Sequence, residues 1–118
     1  MTDTIKIYHN PRCSKSRETL SLLEDKGITP TVIEYLKTPP SVSEIKKLLK
    51  MLGFKDARQL IRTKETLYKE LSLNDDSLTQ EQLIKAMHEN PKLIERPIVV
   101  NGEKAKLGRP PEQVTEIL

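Results

Sequence analysis

Apolar and polar residues alternate over Ile5-Lys6-Ile7-Tyr8, the period of a short half-buried strand. The run stops at His9-Asn10-Pro11-Arg12, a polar stretch broken by proline. From Cys13 the apolar positions follow a helical period, with Leu20, Leu23 and neighbouring Leu22 toward one side and Gly27 as the stop. Thr31 to Tyr35 is rich in β-branched residues and predicts a second strand. Strand, helix and strand in that order predict a βαβ unit with parallel strands.

Thr38-Pro39-Pro40 interrupts the pattern. Ser41 to Glu44 then has the form of a capping box and opens a helix carrying Ile45, Leu48, Leu49 and Leu52, which ends before Gly53. Asp56 to Gln59 predicts the cap of a short helix through Leu60 and Ile61. Thr79 to Gln82 is a further box, opening a helix with Leu83, Ile84 and Met87 that Asn90-Pro91 ends. No strand pattern occurs between about 41 and 90. Strand character returns at Pro97-Ile98-Val99-Val100, Asn101-Gly102 is a hairpin signal, and Lys104 to Leu107 is the return strand. Gly108-Arg109-Pro110-Pro111 breaks that strand, and Pro111 suits the first position of a last helix, Glu112 to Leu118. The predicted class is α/β: a thioredoxin-like βαβ…ββα core over 4–38 and 95–118, with a helical insertion over about 41–90, in a single domain spanning 1–118.

A length of 118 residues suits one domain. The aromatic residues are Tyr8, Tyr35, Phe54 and Tyr68 with no Trp, so the core must come from Leu, Ile and Val. The net charge of +3 is spread among interspersed acids and bases with no run of five or six like charges. That argues against nucleic-acid binding and suits a small anionic substrate. Met1 to Lys6 is polar, and no stretch is long and apolar enough to span a membrane. The lone cysteine, Cys13, cannot form an intramolecular disulfide, and a reducing cytoplasmic setting is expected.

The usual fate of a free cysteine is burial as a small hydrophobe. Cys13 instead follows a strand and a proline loop and starts a helix. Helix N-termini present free N–H groups and about half a positive charge, which stabilise a thiolate and lower the thiol pKa. Arg12, Lys15 and Arg17 add positive charge nearby, and Ser16 can donate its hydroxyl to the sulfur. The same amides suit an incoming oxyanion. Ser16 also stands where a Cys-x-x-Cys pair would carry its second thiol. A covalent intermediate on Cys13 must therefore be resolved by an outside thiol such as glutathione. His9, four residues before Cys13, can polarise the loop or lower the thiol pKa further.

Arginine suits oxyanions because its planar, permanently charged guanidinium donates in a fork. Arg96-Pro97 precedes an apolar strand, where a thioredoxin-like core places a cis-proline loop beside its active cysteine; fold analogy predicts a cis bond there. Arg109 stands just before the last helix. Arg62 follows Leu60-Ile61, and spacing alone does not separate it from Arg58.

Taken together, His9-Asn10-Pro11-Arg12-Cys13-Ser14-Lys15-Ser16-Arg17, Tyr35-Leu36 with Thr38-Pro39-Pro40, Leu60-Ile61-Arg62, Glu95-Arg96-Pro97-Ile98-Val99-Val100 and Gly108-Arg109-Pro110 resemble the glutaredoxin-dependent arsenate reductase family over essentially the whole chain. The resemblance is to the short chromosomal branch, without the C-terminal tail of the resistance-type members. It implies that Cys13 attacks arsenate to form a thioarsenate ester, that Arg62, Arg96 and Arg109 hold the oxyanion, and that His9 and Ser16 assist the thiol. It further implies glutathione as co-substrate and glutaredoxin as partner. Separately from the resemblance, no bound cofactor or metal is expected, and a monomer is expected.

Three other readings compete. A transcriptional regulator of the Spx type, which binds RNA polymerase, shares the fold, but such regulators often carry a Cys-x-x-Cys switch and lack the Gly-Arg-Pro element. A monothiol glutaredoxin-like module, binding glutathione or an iron–sulfur cluster, fits neither the helical insertion nor the arginine set. A thiol-transfer enzyme acting on another substrate is the third alternative.

Overall fold

The structure is a computed structural model that describes Ile5 to Leu118; the expected polar N-terminus falls partly on Met1 to Thr4, outside the described residues. Two compact units are present, one running to Thr38 and resuming over Arg96–Leu118, the other formed by Pro39–Glu95.

The first unit holds the sheet. Strand β1 (Ile5–Tyr8) lies parallel to β2 (Thr31–Ile33) and antiparallel to β3 (Ile98–Asn101), which pairs antiparallel with β4 (Lys104–Leu107). The order β2-β1-β3-β4, with helix α1 (Ser14–Asp25) crossing from β1 to β2, is the thioredoxin-like core expected from the pattern. Ile7, Leu23, Val99 and Val114 form a fully buried cluster, against which Ile5, Leu20, Leu22, Ile28 and Ile117 pack. Leu23 thus fixes α1 to the sheet, which matters because α1 carries Cys13 at its start. The stop at Gly27 holds: the Gly27 amide donates to Glu24 O and that of Ile28 to Leu23 O, the paired bonds of a Schellman end.

Three expectations shift in detail. Strand β2 ends at Ile33 rather than Tyr35, because Glu34 O accepts from the amides of Lys37 and Thr38 and turns the chain. The hairpin loop is Gly102-Glu103, since Asn101 pairs with Lys104 inside the sheet. Gly102 takes a φ of +63° as the first loop residue and is the one of the two at positive φ, the signature of a type II′ turn. The closing segment, Pro111–Ile117, is a 3-10 helix, not an α-helix. Val114, Thr115 and Ile117 are β-branched and disfavour regular α-helix over so short a run.

The second unit is helical. Helix α2 (Val42–Leu52) starts where Ser41 Oγ accepts the Glu44 amide at 3.1 Å. A 3-10 turn (Ala57–Leu60) opens with a complete capping box between Asp56 and Gln59. Helix α3 (Thr66–Glu70) lies in a stretch where no element was predicted, and its apolar residues are too few to show a period. Helix α4 (Gln80–Glu89) packs on α2. Its box is reciprocal: Thr79 Oγ1 accepts the Gln82 amide at 3.2 Å, and Gln82 Oε1 accepts the Thr79 amide at 2.7 Å. Pro91–Leu93 forms a 3-10 turn where a plain break was expected. An isolated antiparallel bridge joins Ile61 to Ile94 within this unit.

Thr79→Ala removes the side-chain acceptor of that box and should lower the unfolding free energy by about 1 kcal/mol in chemical denaturation. No measurable loss would mean that the cap does not contribute.

Candidate active site

The segment before α1 folds on itself. The Cys13 amide donates to Asn10 O at 3.0 Å, closing a turn over Asn10-Pro11-Arg12-Cys13. Asn10 Oδ1 accepts the Arg12 amide at 3.0 Å, the Asx bond that asparagine favours in turns. Arg17 reaches back from α1 so that Nη1 donates to Pro11 O at 2.8 Å. Ser16 Oγ accepts the Asn10 amide at 3.0 Å and lies 2.7 Å from His9 Nδ1. His9 and Ser16 are both buried. The loop is therefore held to the first turn of α1 by Ser16 and Arg17.

Cys13 is the N-cap residue of α1, extended at φ −97°, ψ 123°, and its side chain is buried. An N-cap side chain normally accepts hydrogen bonds from the second and third helical amides. Here those amides belong to Lys15 and Ser16. Neither closes a strict cap hydrogen bond to the sulfur, yet both act on its charge. Burial pushes the Cys13 thiol up; the Ser16 amide, the Arg96 guanidinium, the Lys15 amide and the Arg109 guanidinium outweigh it and hold the thiol below its ordinary range. A thiolate accepts hydrogen bonds far better than a thiol, so the sulfur works as a helix cap in its anionic form.

The cations that lower the thiol are not its sequence neighbours, as the sequence suggested. Lys15 Nζ pairs with Glu18 at 3.6 Å on the surface, Arg12 is exposed, and Arg17 is bonded to the loop carbonyl. Arg96 and Arg109 come instead from both ends of the β3–β4 hairpin. The register explains why. Ile98 pairs with Leu107, so the residues just outside the sheet stand side by side, and the Gly108 amide donates to Pro97 O at 2.9 Å. Arg96 and Arg109 are the next residues out. Arg96 is buried and Arg109 exposed. The Arg96–Pro97 bond is cis, as fold analogy predicted, and so is Arg109–Pro110, which the sequence did not flag.

Ser16 acts on the sulfur through its backbone amide, while its hydroxyl serves His9 and Asn10. That differs from the hydroxyl-to-sulfur contact expected. His9 therefore reaches the thiol region through Ser16. Burial lowers the His9 pKa from 6.5, the Glu34 carboxylate opposes this, and the Arg17 guanidinium adds to the lowering. The net effect favours the neutral ring.

Arg62 belongs to the helical unit. Its amide donates to Leu93 O at 2.7 Å, beside the Ile61–Ile94 bridge. Its Nη1 lies 2.9 Å from Glu65 Oε2 and its Nε 3.8 Å from Glu95 Oε1. Arg58 is different. Its Nε donates to Leu73 O at 3.1 Å and its Nη2 to Asp75 O at 2.7 Å, so it serves as a chain clamp. Arg58 thus binds main-chain carbonyls and Arg62 carboxylates. Among the described residues, no group of three or more His, Cys, Asp or Glu side chains is placed to hold a metal ion, and no helix is long and apolar enough to cross a membrane.

Known proteins resemble the chain throughout. Residues 8–117 match the model of the ArsC family. The chain is 61% identical over 118 residues to the Escherichia coli K12 protein described as uncharacterized protein YfgD, covering 100% of this chain and 99% of that one. It is 57% identical over 115 residues to an arsenate reductase of Haemophilus influenzae, covering 98% of this chain and 99% of that one. A solved structure of an arsenate reductase from Vibrio cholerae matches with a TM-score of 0.98 and 58% identity, covering 100% of both chains.

The His9 ring should titrate by NMR with a midpoint below 6.5. Because the folded pKa is the lower one, the unfolded chain binds the proton first as pH falls. His9 therefore contributes a loss of stability as pH drops from 6.5 through its folded value. A midpoint at or above 6.5 would contradict the burial argument.

Proposed function

The chain belongs to the ArsC family, and from that premise we propose that it is an arsenate reductase whose nucleophile is Cys13. The observation that carries this is the buried sulfur at the start of α1, whose thiol pKa is lowered by the Ser16 and Lys15 amides and by two guanidinium groups from another part of the chain. Those groups suit both a thiolate and the anion it would attack. Arsenate resembles phosphate and carries about −1.5 to −2 charges at neutral pH. A thiolate approaching it meets like-charge repulsion, which Arg96 and Arg109 offset while stabilising the charge that grows in the transition state. Arg62 enters this reading only through the resemblance of Leu60-Ile61-Arg62, which implies a third oxyanion ligand; in the structure its guanidinium is paired with Glu65 and Glu95.

In this mechanism the Cys13 sulfur bonds to arsenic as an As–O bond breaks, and that oxygen leaves as water after taking two protons. The arsenic is still pentavalent in the resulting thioarsenate ester. With one cysteine in the chain, the two electrons that bring arsenic to arsenite must come from two thiols outside it, which end as a disulfide. Glutathione and glutaredoxin are the reductants that the family resemblance supplies. His9 is a positioning residue, holding the Ser16 hydroxyl and through it the first turn of α1.

An assay with arsenate, glutathione and glutaredoxin tests the reading. The wild-type protein should release arsenite and Cys13→Ser should not; turnover by the serine variant would reject Cys13 as nucleophile. Arg96→Ala should reduce turnover by about a hundredfold or more while moving the thermal midpoint little. Parallel loss of activity and stability would make Arg96 a structural residue.

A further inference from the structure

The groups around the sulfur come from two sources. The amides belong to the first turn of α1, and the guanidinium groups belong to the segments flanking the hairpin. A close contact at Thr19 joins those sources. Thr19 is fully buried on α1, one turn beyond Lys15, and its Oγ1 donates to Lys15 O at 2.8 Å. Gly108, also buried, donates its amide to Pro97 O. A Cβ on Gly108 would collide with Thr19 Oγ1, and it would stand 2.8 Å from Pro97 Cγ and 3.1 Å from Thr19 Cγ2. Gly108 is not among the residues at positive φ, so the demand here is for space and not for backbone freedom.

Each partner in this contact adjoins a group that acts on the sulfur. Gly108 precedes Arg109, Pro97 follows Arg96, and Thr19 is bonded to the residue whose amide faces Cys13. We propose that the Thr19–Gly108–Pro97 contact sets the guanidinium half of the anion site in register with the amide half, with Gly108 and Thr19 as its positioning residues. The inference rests on Cys13 being the anionic nucleophile that binds arsenate. Neither residue touches the reacting atoms. Both act by fixing how far Arg96 and Arg109 stand from the sulfur, and displacement of a positioned group by about 1 Å costs on the order of a hundredfold in rate.

Two readouts that need no turnover test it: the pH midpoint of Cys13 alkylation by iodoacetamide, and the arsenate concentration that half-protects Cys13 from that reagent. In Gly108→Ala the alkylation midpoint should rise toward the ordinary thiol value, and the half-protecting concentration should rise about tenfold or more. Thr19→Ala removes both Thr19 atoms that crowd the new methyl, so Gly108→Ala/Thr19→Ala should recover part of both shifts. Wild-type values in Gly108→Ala would overturn the proposal, as would a shift that Thr19→Ala does nothing to relieve. If Gly108→Ala is insoluble, the double variant is compared with wild type. Pro97 still crowds its methyl, so a residual shift is expected, and its absence would overturn the proposal. Failure of the functional reading looks different: wild-type Cys13 itself would then titrate as an ordinary thiol and gain no protection from arsenate.

Discussion

Everything at the site depends on one electrostatic balance. Cys13 is buried, which alone would disfavour its anion, yet two helix amides and two arginines favour it more strongly. The sulfur occupies the place of an N-cap acceptor, a role that a neutral thiol fills poorly. Helix start and candidate nucleophile, on the proposed function, are therefore the same feature. The turn from Asn10 to Cys13, tied down by Ser16 and Arg17, delivers the sulfur to that place in the extended conformation an N-cap needs.

The sheet supplies the other half of the balance. A hairpin brings the segments on its two open sides together whatever their separation in sequence. The Ile98–Leu107 pairing makes Arg96 and Arg109 neighbours across the end of the β3–β4 ladder. A register slip of one residue would turn the alternate faces of β3 over and separate the pair. Val99, buried against Ile7 and Leu23, opposes such a slip by anchoring one face of β3 to β1 and α1. The same burial that fixes the core thus fixes the distance between sulfur and guanidinium groups.

How much of this was legible follows from the range of each signal. The strand–helix–strand opening, the hairpin and the helix caps at Ser41, Asp56 and Thr79 are local patterns, and the structure has elements at each. Cys13 stood out because a helix start is also a local feature. The short helix at Thr66–Glu70 was invisible because five residues show no period. The 3-10 form of Pro111–Ile117 turned on side-chain branching within an otherwise helix-like run. At the site, composition near Cys13 pointed to Arg12, Lys15 and Arg17, whereas Arg96 and Arg109 are the cations that lower the thiol. Fold analogy singled out Arg96, and the family resemblance named both. The role of Gly108 left no local trace, because it is set by what Thr19 and Pro97 bring from elsewhere in the chain.

The most direct test of the central claim is the ultraviolet titration of the Cys13 thiolate in the wild-type protein and in Arg96→Met and Arg109→Met. The account predicts a wild-type midpoint clearly below the ordinary thiol value of about 8.5, and a rise in each variant. A wild-type midpoint at or above that value, unmoved by loss of either arginine, would contradict it.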